Sequence, residues 1–474
     1  MPLLERLPHH AARDDALVVG MSVERHQCRH ALDVTRQWNS SIPARSRGSL
    51  RWGTNPRPQG RSDVRVLCTV AFSAAHARAT LPLITMLTEL GHEVLVAGPS
   101  SVLRGFADEP VRTAGALPEV CDQLADLLQG EVLALPPDYD PFADEMIVEF
   151  AAGPHITGAA RALLPVAADF RPHLVLRAGI EFAGLLVAER LGVPHVAAPS
   201  GAGQYMDRST LLNAVNERRA ELRLPLHESL DSVHRFGRLD AVPPAYSLAR
   251  QPMPAAFAYQ QPSHHSAGER LPQWLADLDP SRPLVVASTS TSGGVFATES
   301  ALRLFDFDAI PDQALRRSPL AHLETLVAGL SDVDCEAVVL TGGLPVEAAE
   351  APHVHLVESL PQALLLQGAD LLVSHGGYNS IREAMRAGVP VAVLPVMHDQ
   401  MHNAHRVGEL KLGVRVHDHC ADAVTEACRY ALADEAVRQG VRGAQRHMLS
   451  LPSIRAVAGY LERIVQRNRR LVSM

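Results

Sequence analysis

The sequence predicts an α/β protein with two large domains, each built from strand–helix–strand units. Its 474 residues exceed the usual size of one domain. Short apolar runs of strand length alternate with helical periodicity at residues 64–97, 171–198 and 369–394. Continuous apolar runs are typical of strands buried on both faces, so parallel sheets between helices are expected.

Composition excludes several classes of function. Hydrophobic residues make up 47% of the chain and charged residues 20%, as in globular proteins with large cores. Aromatic residues are only 4% and the net charge is −8, so we expect no nucleic-acid partner. No apolar run reaches the length of a membrane span.

The six cysteines lack the C-x-x-C spacing of a zinc or redox site. Reduced thiols and a cytoplasmic protein are therefore expected. The cysteines are Cys28, Cys68, Cys121, Cys335, Cys420 and Cys428.

Residues 1–62 differ from the rest of the chain. They are rich in arginine and histidine and poor in apolar periodicity, which predicts a disordered or weakly ordered extension. A start codon assigned too early and a basic docking arm are the two alternatives.

The first domain opens with a strand at 64–71, a loop at 72–78, a helix at 79–90 and a second strand from 93. The unit lacks G-x-G-x-x-G, so it is not a dinucleotide site. Residues 141–168 are predicted to be helical with a break at Gly153-Pro154. Their apolar residues are interpreted as core, with an acceptor pocket as the alternative; they are Met146, Ile147, Phe150, Ile156 and Leu163.

Hydroxyl groups follow two strands of the second domain. The strand in 283–292 ends in Ser290 and Thr291, and the strand at 337–340 is followed by Thr341. Hydroxyl and N–H groups at the carboxyl ends of parallel strands suit a diphosphate.

The most informative stretch begins with a strand at 369–374 and the turn His375-Gly376-Gly377. Asn379 and Ser380 are N-cap residue types, so a helix is expected to begin there. A glycine turn that enters a helix N-terminus is an anion site.

That helix is expected to end at Gly388, before a strand at 391–394 and a loop that holds Asp399 and Gln400. These two side chains suit hydroxyl groups, and the loop opens on the same edge of the sheet as the glycine turn. Phosphate on one side and hydroxyls on the other predict a nucleotide-sugar ligand.

The same stretch resembles the donor signature of the family-1 glycosyltransferases, the UDP-glycosyltransferase superfamily, and above all its bacterial natural-product branch. That signature reads H-G-G-x-[NG]-[ST]-x-x-E, then G-V-P, then P-x-x-x-D-Q, then N-A. The matching residues are His375, Gly376, Gly377, Asn379, Ser380, Glu383, Gly388, Val389, Pro390, Pro395, Asp399, Gln400, Asn403 and Ala404.

The resemblance implies roles for further residues. His76 falls on the catalytic histidine of the family, although Ala75 and Ala79 replace the flanking glycine and proline. The acidic partner that relatives carry in a later strand is Ala178 here, and Glu181 is the nearest substitute. Glu383 corresponds to the ribose-binding residue of the family.

Leu360 and Gln362 match the base-binding segment of the family, whose stacking position holds Ser359 here. Base recognition would then rest on backbone groups of Leu360.

The resemblance further implies a GT-B fold, with two Rossmann-like domains facing across a cleft. Residues 63–265 would bind the acceptor, 266–450 the nucleotide-sugar, and 451–474 would form a helix that packs back on the first domain. The implied activity is inverting, metal-independent transfer from a UDP- or dTDP-sugar to a hydroxyl of a hydrophobic natural product. The nucleotide-sugar is a substrate, and no cofactor is expected; a homo-oligomer is left open.

Two alternatives remain at this point. One is a non-catalytic or auxiliary homologue that binds a nucleotide-sugar or a partner transferase. The other is a different enzyme on the same fold, such as a sugar-nucleotide 2-epimerase or a lipid-linked transferase, which would lack the D-Q pair.

Overall fold

The computed structural model describes residues 64–71, 74–107, 109–119, 122, 144–262, 270–289, 318–347, 351–397 and 399–472. The extension at 1–62, the predicted boundary near residue 265, and Ser290 and Thr291 lie outside these residues. Strands and helices are numbered below over the described residues.

The first sheet contains five parallel strands in the order β3-β2-β1-β4-β5. Leu67, at its centre, is in register with Leu95 on one side and Val175 on the other. The strands are β1 (Arg65–Thr69), β2 (Glu93–Ala97), β3 (Arg112–Ala114), β4 (Leu174–Arg177) and β5 (His195–Ala197).

Helices cover both faces of this sheet, because successive apolar residues of each strand point to opposite sides. Leu67 belongs to one hydrophobic cluster, whereas Val66 and Cys68 belong to the other. The helices of this half are α1 (Ala74–Glu89), α2 (Ser100–Leu103), α3 (Asp144–Ala152), α4 (His155–Phe170), α5 (Ala183–Leu191), α6 (Ala202–Tyr205) and α7 (Arg208–Glu221).

The second sheet has six parallel strands in the order β10-β9-β8-β11-β12-β13. Two short strands between the sheets, β6 (Leu239–Asp240) and β7 (Phe257–Ala258), pair with each other. The strands of the large sheet are β8 (Leu284–Ser288), β9 (Glu336–Leu340), β10 (Val354–Val357), β11 (Leu371–Ser374), β12 (Val391–Val393) and β13 (Gly413–Arg415).

Alternating side chains again divide the apolar residues of this sheet between two clusters. Val286 and Leu372 pack on one face, and Val285 and Leu371 on the other. The helices of this half are α8 (Pro319–Ser331), α9 (Gln362–Leu365), α10 (Tyr378–Ala387), α11 (Gln400–Glu409), α12 (Ala421–Ala433) and α13 (Glu435–Ser450). The structure thus confirms the predicted α/β class with parallel sheets.

The last helix, α14 (Arg455–Val472), returns to the first sheet. Its residues Val457, Ala458, Leu461 and Val465 are buried in the cluster that also holds Val66 and Cys68. The Tyr460 ring stacks on Phe257 with 4.7 Å between centroids. Among the described residues, none of the helices has the length and apolar character needed to cross a bilayer.

Two helix boundaries differ from the prediction. The segment 72–78 was expected to be a loop, but α1 already begins at Ala74, because the run Ala-Ala-His-Ala-Arg-Ala favours helix strongly. Asn379 and Ser380 were expected as N-caps, but Gly377 is the N-cap and α10 begins at Tyr378. Gly376 turns the chain with φ of +85°, which brings the helix entry forward by two residues.

Candidate functional site

The second sheet changes its winding direction between β8 and β11. The strand sequence runs outward to β9 and β10 on one side of this point and to β12 and β13 on the other. Ligands of open α/β sheets bind at the carboxyl ends of strands at such a switch point. The glycine turn follows β11, and Ser288 is the last residue of β8, so both lie at this crevice.

The turn after β11 is shaped by two glycines. A Cβ on Gly376 would lie 2.4 Å from Val393 Cγ1, and a Cβ on Gly377 would lie 2.6 Å from His375 Nε2. Only glycine therefore lets the turn pack on β12 while the His375 ring folds over the loop. The backbone of this turn leads directly into the N-terminus of α10, where the first N–H groups lack helical partners.

His375 directly precedes the glycine turn that leads into this helix. Burial lowers the pKa of the His375 imidazole to about 4, and its Nδ1 atom is buried without a hydrogen-bond partner. The ring is therefore neutral at neutral pH and offers one N–H donor and one acceptor.

A chain of three polar side chains crosses the crevice. Ser288 Oγ donates to Gln362 Oε1 at 2.9 Å, and Gln362 Nε2 donates to Glu383 Oε2 at 3.0 Å. The other oxygen of Glu383 accepts from Arg382 Nη2 at 3.1 Å. The chain joins the end of β8, the start of α9 and the body of α10 into one polar surface.

The Thr341 loop lies next to the segment that precedes Gln362. Thr341 Oγ1 accepts from the N–H of Gly343 at 3.3 Å, and the N–H of Gly342 donates to Glu358 O at 2.9 Å. The Thr341 hydroxyl oxygen therefore accepts a hydrogen bond within its own turn. Ser359 is exposed and Leu360 is half-buried, packed against the core on one face of the sheet.

The loop after β12 carries a desolvated carboxyl group. Burial raises the pKa of Asp399 to about 6, and Asn403 Nδ2 donates to Asp399 Oδ2 at 2.9 Å. Gln400 Oε1 accepts from the N–H groups of Val396 at 2.9 Å and Met397 at 3.1 Å. The oxygen of Gln400 thus holds the loop, and its NH₂ group is the part that can donate to a ligand.

The first sheet has its own switch point, between β1 and β4. His76 is in the first turn of α1, just beyond the carboxyl end of β1, and Glu181 follows the carboxyl end of β4. The structure therefore brings the backbone of His76 and the side chain of Glu181 to the same crevice. The His76 side chain lies outside the described residues.

The Glu181 carboxyl is buried, at 2% exposure, and held on two sides. Thr69 Oγ1 donates to Glu181 Oε2, and the N–H of Gly184 donates to the same oxygen at 2.9 Å. Burial raises the pKa of Glu181, while these hydrogen bonds and the charge of Arg177 oppose the rise.

Cys68, in β1, lies between Glu181 and the helix that carries His76 in its electrostatic and hydrogen-bond contacts. Burial raises the pKa of the Cys68 thiol to about 12; a hydrogen bond with Thr80 opposes the rise, and the charge of Glu181 adds to it. Thr80 stands four residues after His76 on α1, on the same helix face.

The two halves meet through residues next to both crevices. Tyr378, the first residue of α10, donates its hydroxyl to Asp240 Oδ1 at 2.5 Å. A Cβ on Gly201, in the loop after β5, would lie 2.5 Å from Asp399 Oδ2 and 2.6 Å from Tyr378 Cβ. The loop after β5 therefore rests directly on the candidate donor site.

Comparisons with known proteins agree with this arrangement. Residues 324–464 match the model of the "Erythromycin biosynthesis protein CIII-like, C-terminal domain" family. The chain is 27% identical over 319 residues to the NDP-glycosyltransferase YjiC of Bacillus subtilis, covering 63% of this chain and 74% of that protein. These matches indicate a nucleotide-sugar-dependent glycosyltransferase that is similar to the family-1 enzymes.

Further relatives match over almost their whole length. TDP-daunosamine transferase DnrS of Streptomyces peucetius is 25% identical over 456 residues, which cover 86% of this glycosyltransferase and 98% of DnrS. The crystal structure of the glycosyltransferase SnogD from Streptomyces nogalater superposes with a TM-score of 0.63 at 22% identity, covering 85% of this chain and all of that one. The expected GT-B fold is thereby confirmed.

Most of the predicted donor residues that the structure describes converge on one crevice. Gly376 and Gly377 form the turn, and Asn379 and Ser380 occupy the second and third positions of α10. Three residues that the sequence did not single out join them: Ser288, Tyr378 and Gly201. Tyr378 occupies the variable position of the signature. An aromatic residue at a helix N-terminus was the one sequence feature that could have indicated its contact with the other half.

The apolar residues of α3 and α4 are core residues of this glycosyltransferase. Ile147, Ile156 and Leu163 are buried in the cluster on one face of the first sheet, which confirms the core interpretation for these three. Phe150 is half-buried. The side chain of Met146 lies outside the described residues.

Proposed function

We propose that this chain transfers a sugar from a nucleoside-diphosphate sugar to a hydroxyl group of a hydrophobic natural-product acceptor. The observation that carries the proposal is the position of two loop clusters, each at the switch point of its own parallel sheet. One cluster has the groups for a diphosphate and hydroxyls, and the other holds a histidine and a carboxyl.

On the donor side, the diphosphate is assigned to the turn His375-Gly376-Gly377 and the N-terminus of α10. Free N–H groups and the helix dipole favour negative charge there. A neutral His375 adds an N–H donor without the cost of burying a second charge. Ser290 and Thr291, which follow β8 in the sequence, are assigned to the same diphosphate.

The polar chain Ser288–Gln362–Glu383 is assigned to the nucleoside. The carboxylate of Glu383 accepts from ribose hydroxyls, and Gln362 fixes its rotamer. The backbone of Leu360 and the Thr341 loop then face the base. The sugar hydroxyls are assigned to Asp399 and to the NH₂ group of Gln400.

On the acceptor side, His76 is proposed as the general base. It takes the proton of the acceptor hydroxyl while the acceptor oxygen forms a bond to the anomeric carbon. The bond from that carbon to the diphosphate oxygen breaks in the same displacement, so the anomeric configuration inverts. The negative charge that develops on the diphosphate is stabilised by α10 and His375, without a metal ion.

Glu181 is proposed as the carboxylate that orients His76 and stabilises its imidazolium form. Support comes from its position after the carboxyl end of β4, at the same switch point as the start of α1. Its anchors, Thr69 and Gly184, fix the carboxylate at the end of β1.

The relatives support the choice of substrates. DnrS is named as a TDP-daunosamine transferase, so dTDP-sugars are the first donors to test, with UDP-sugars beside them. The family model is named for an erythromycin biosynthesis protein, which favours a polyketide acceptor.

The experiment has two stages. Thermal shift across UDP- and dTDP-sugars identifies the donor, and incubation of that donor with polyketide and phenolic acceptors in EDTA follows, with NMR of the product to assign the anomer. Transfer with inversion supports the proposal. Retention, or dependence on an added divalent ion, contradicts the mechanism, and donor binding without transfer to any acceptor favours the auxiliary homologue.

A further inference from the structure

The ring of Tyr378 packs in the second half of the molecule, and its hydroxyl forms hydrogen bonds with the first half. Its side chain is 7% exposed and packs in the core on one face of the second sheet, together with Ile381 and Met385 of the same helix. Its hydroxyl donates to Asp240 Oδ1 at 2.5 Å and accepts from the N–H of Ala241 at 3.2 Å. The residue directly after the glycine turn is therefore tied to the segment that links the two sheets.

The acceptor of this hydrogen bond is itself immobilised. Asp240 is 3% exposed, and its second oxygen accepts from Arg238 Nη1 at 3.0 Å and Gln204 Nε2 at 2.9 Å. Gln204 belongs to α6, which follows the last strand of the first sheet. Because two other side chains hydrogen-bond to the second oxygen of Asp240, the Tyr378 hydroxyl is anchored to a rigid part of the first half.

A second contact acts on the same helix end. Gly201, three residues before Gln204, lies so close to Tyr378 that a Cβ there would be 2.6 Å from Tyr378 Cβ. The start of α10 is therefore held by a hydrogen bond from the linking segment and by a close backbone approach from the loop after β5.

The reaction needs two substrates at a fixed separation. A displacement proceeds only when the attacking oxygen approaches the anomeric carbon to near-contact distance in line with the leaving group. The N-terminus of α10 fixes the diphosphate, and the first sheet fixes the acceptor. The relative position of these two elements therefore decides whether the bound substrates react.

We propose that Tyr378 is a positioning residue for the transfer step, whose hydrogen bond to Asp240 sets the diphosphate-binding end of α10 against the acceptor domain. This role rests on the proposed function. Tyr378 touches neither reacting group. It acts through the helix that begins with it, so its loss leaves the N–H groups that bind the diphosphate in place and misaligns the sugar with the acceptor.

A purely structural role makes a different prediction. A buried tyrosine with a satisfied hydroxyl stabilises a fold wherever it occurs. Its removal would lower the melting temperature and weaken every ligand alike. If Tyr378 is a positioning residue, its loss lowers kcat and raises the fraction of donor sugar that is transferred to water instead of to the acceptor. The affinity for the nucleoside diphosphate stays unchanged.

The test is Tyr378→Phe in the full chain, with Tyr430→Phe as control, since Tyr430 lies on the surface of the same half at 54% exposure. We expect Y378F to keep its Kd for the nucleoside diphosphate within about threefold, to lose about tenfold in kcat for transfer, and to hydrolyse a larger fraction of the donor. Y430F behaves as wild type. Gly201→Ala displaces the second contact without removing the hydroxyl, and it serves if Y378F does not fold. Because its Cβ would also lie 2.5 Å from Asp399 Oδ2, its affinity is measured with the nucleoside diphosphate, which lacks the sugar, and the same unchanged Kd and lower kcat are expected.

Wild-type kcat and an unchanged ratio of hydrolysis to transfer in both variants overturn the inference. A parallel loss of diphosphate affinity, kcat and melting temperature also overturns it, in favour of the structural role. Wild-type protein that binds no nucleoside diphosphate overturns the proposed function itself, and the role of Tyr378 falls with it. The wild-type titration therefore separates the two failures.

Discussion

Gln362 donates to Glu383 across 3.0 Å and at the same time accepts from Ser288 at 2.9 Å, so one amide joins two helices and a strand end. Replacing Gln362 with Ala frees the Glu383 carboxylate to rotate and is expected to weaken nucleoside-diphosphate binding about tenfold, the cost of about one hydrogen bond. Isothermal titration calorimetry measures the change.

Gln367→Ala is the matched control, because Gln367 is an exposed glutamine in the turn after α9. Equal affinities for the two variants would remove Gln362 from the donor site.

His76 carries the chemical step in the proposed mechanism. His76→Ala is expected to lower kcat for transfer by at least about 100-fold, since a general base contributes that much, and to leave donor affinity unchanged. His417→Ala, at an exposed histidine of the other half, is the control. Turnover of H76A at the wild-type rate would show that another group takes the proton.

The negative charge of Glu181 is expected to raise the pKa of that base. Glu181→Gln keeps an oxygen for Thr69 and Gly184 but removes the negative charge, so the pKa of His76 falls and the acidic limb of the kcat/KM profile moves to lower pH. A loss of about tenfold in kcat accompanies the shift, since the imidazolium is less stabilised.

Glu189→Gln controls for damage to the same domain, because Glu189 is paired with the buried Arg219 at 2.7 Å, away from β1. A pH profile of E181Q that superposes on the wild-type profile would leave Glu181 with the structural role of holding the start of α5.

Asp399 gives donor binding a pH dependence. Its pKa of about 6 means that the carboxyl is mainly protonated at pH 5 and ionised at pH 7.5. A protonated carboxyl accepts sugar hydroxyls poorly, so the Kd for the intact nucleotide-sugar is expected to rise about tenfold between pH 7.5 and pH 5. Asp399→Asn should show a flat profile over the same range.

The effect of the same group on stability has the opposite sign. Because the pKa of Asp399 in the folded protein is raised above its ordinary value of 3.8, its contribution to stability is fully present below that value and is lost as the pH rises to about 6. D399N lacks this loss, so urea unfolding of the two proteins at pH 5 and 7.5 separates stability from binding. A D399N profile as steep as the wild-type profile would assign the pH dependence to another group.

Gly376 is the glycine with the strictest requirement in the turn. Gly376→Ala combines a left-handed φ of +85° with a Cβ 2.4 Å from Val393 Cγ1, and is expected to cost more than about 1 kcal/mol of unfolding free energy and most of the donor affinity. Gly368→Ala is the control, because no atom lies within 4 Å of its added Cβ. Unchanged donor affinity in G376A would place the diphosphate elsewhere.

The strands and the glycine turn could be predicted because they depend on local patterns. The run from Leu371 to Ser374 is apolar and ends in a glycine pair, and any strand that enters a helix in this way shows the same signal. The start of α1 was predicted five residues too late, because the amphipathic pattern begins only at Ala79, whereas four alanines between 74 and 79 favour helix.

The contacts between the halves could not be predicted in the same way. Tyr378 and Asp240 are 138 residues apart, and neither residue type indicates its partner. Glu181 was chosen for its position after β4, but its anchors Thr69 and Gly184 depend on the register of β1 against β4. Such pairings depend on tertiary packing, which periodicity does not report.

The return of α14 to the first sheet has a consequence for the order of folding. One of the two cores of that sheet, which includes Val66 and Leu83, is closed by Val457 and Leu461, almost 400 residues later in the chain. During synthesis the first half leaves the ribosome with that apolar surface uncovered, and it stays uncovered until the last helix has emerged. The amino-terminal half therefore cannot complete its folding first, as many multidomain chains do.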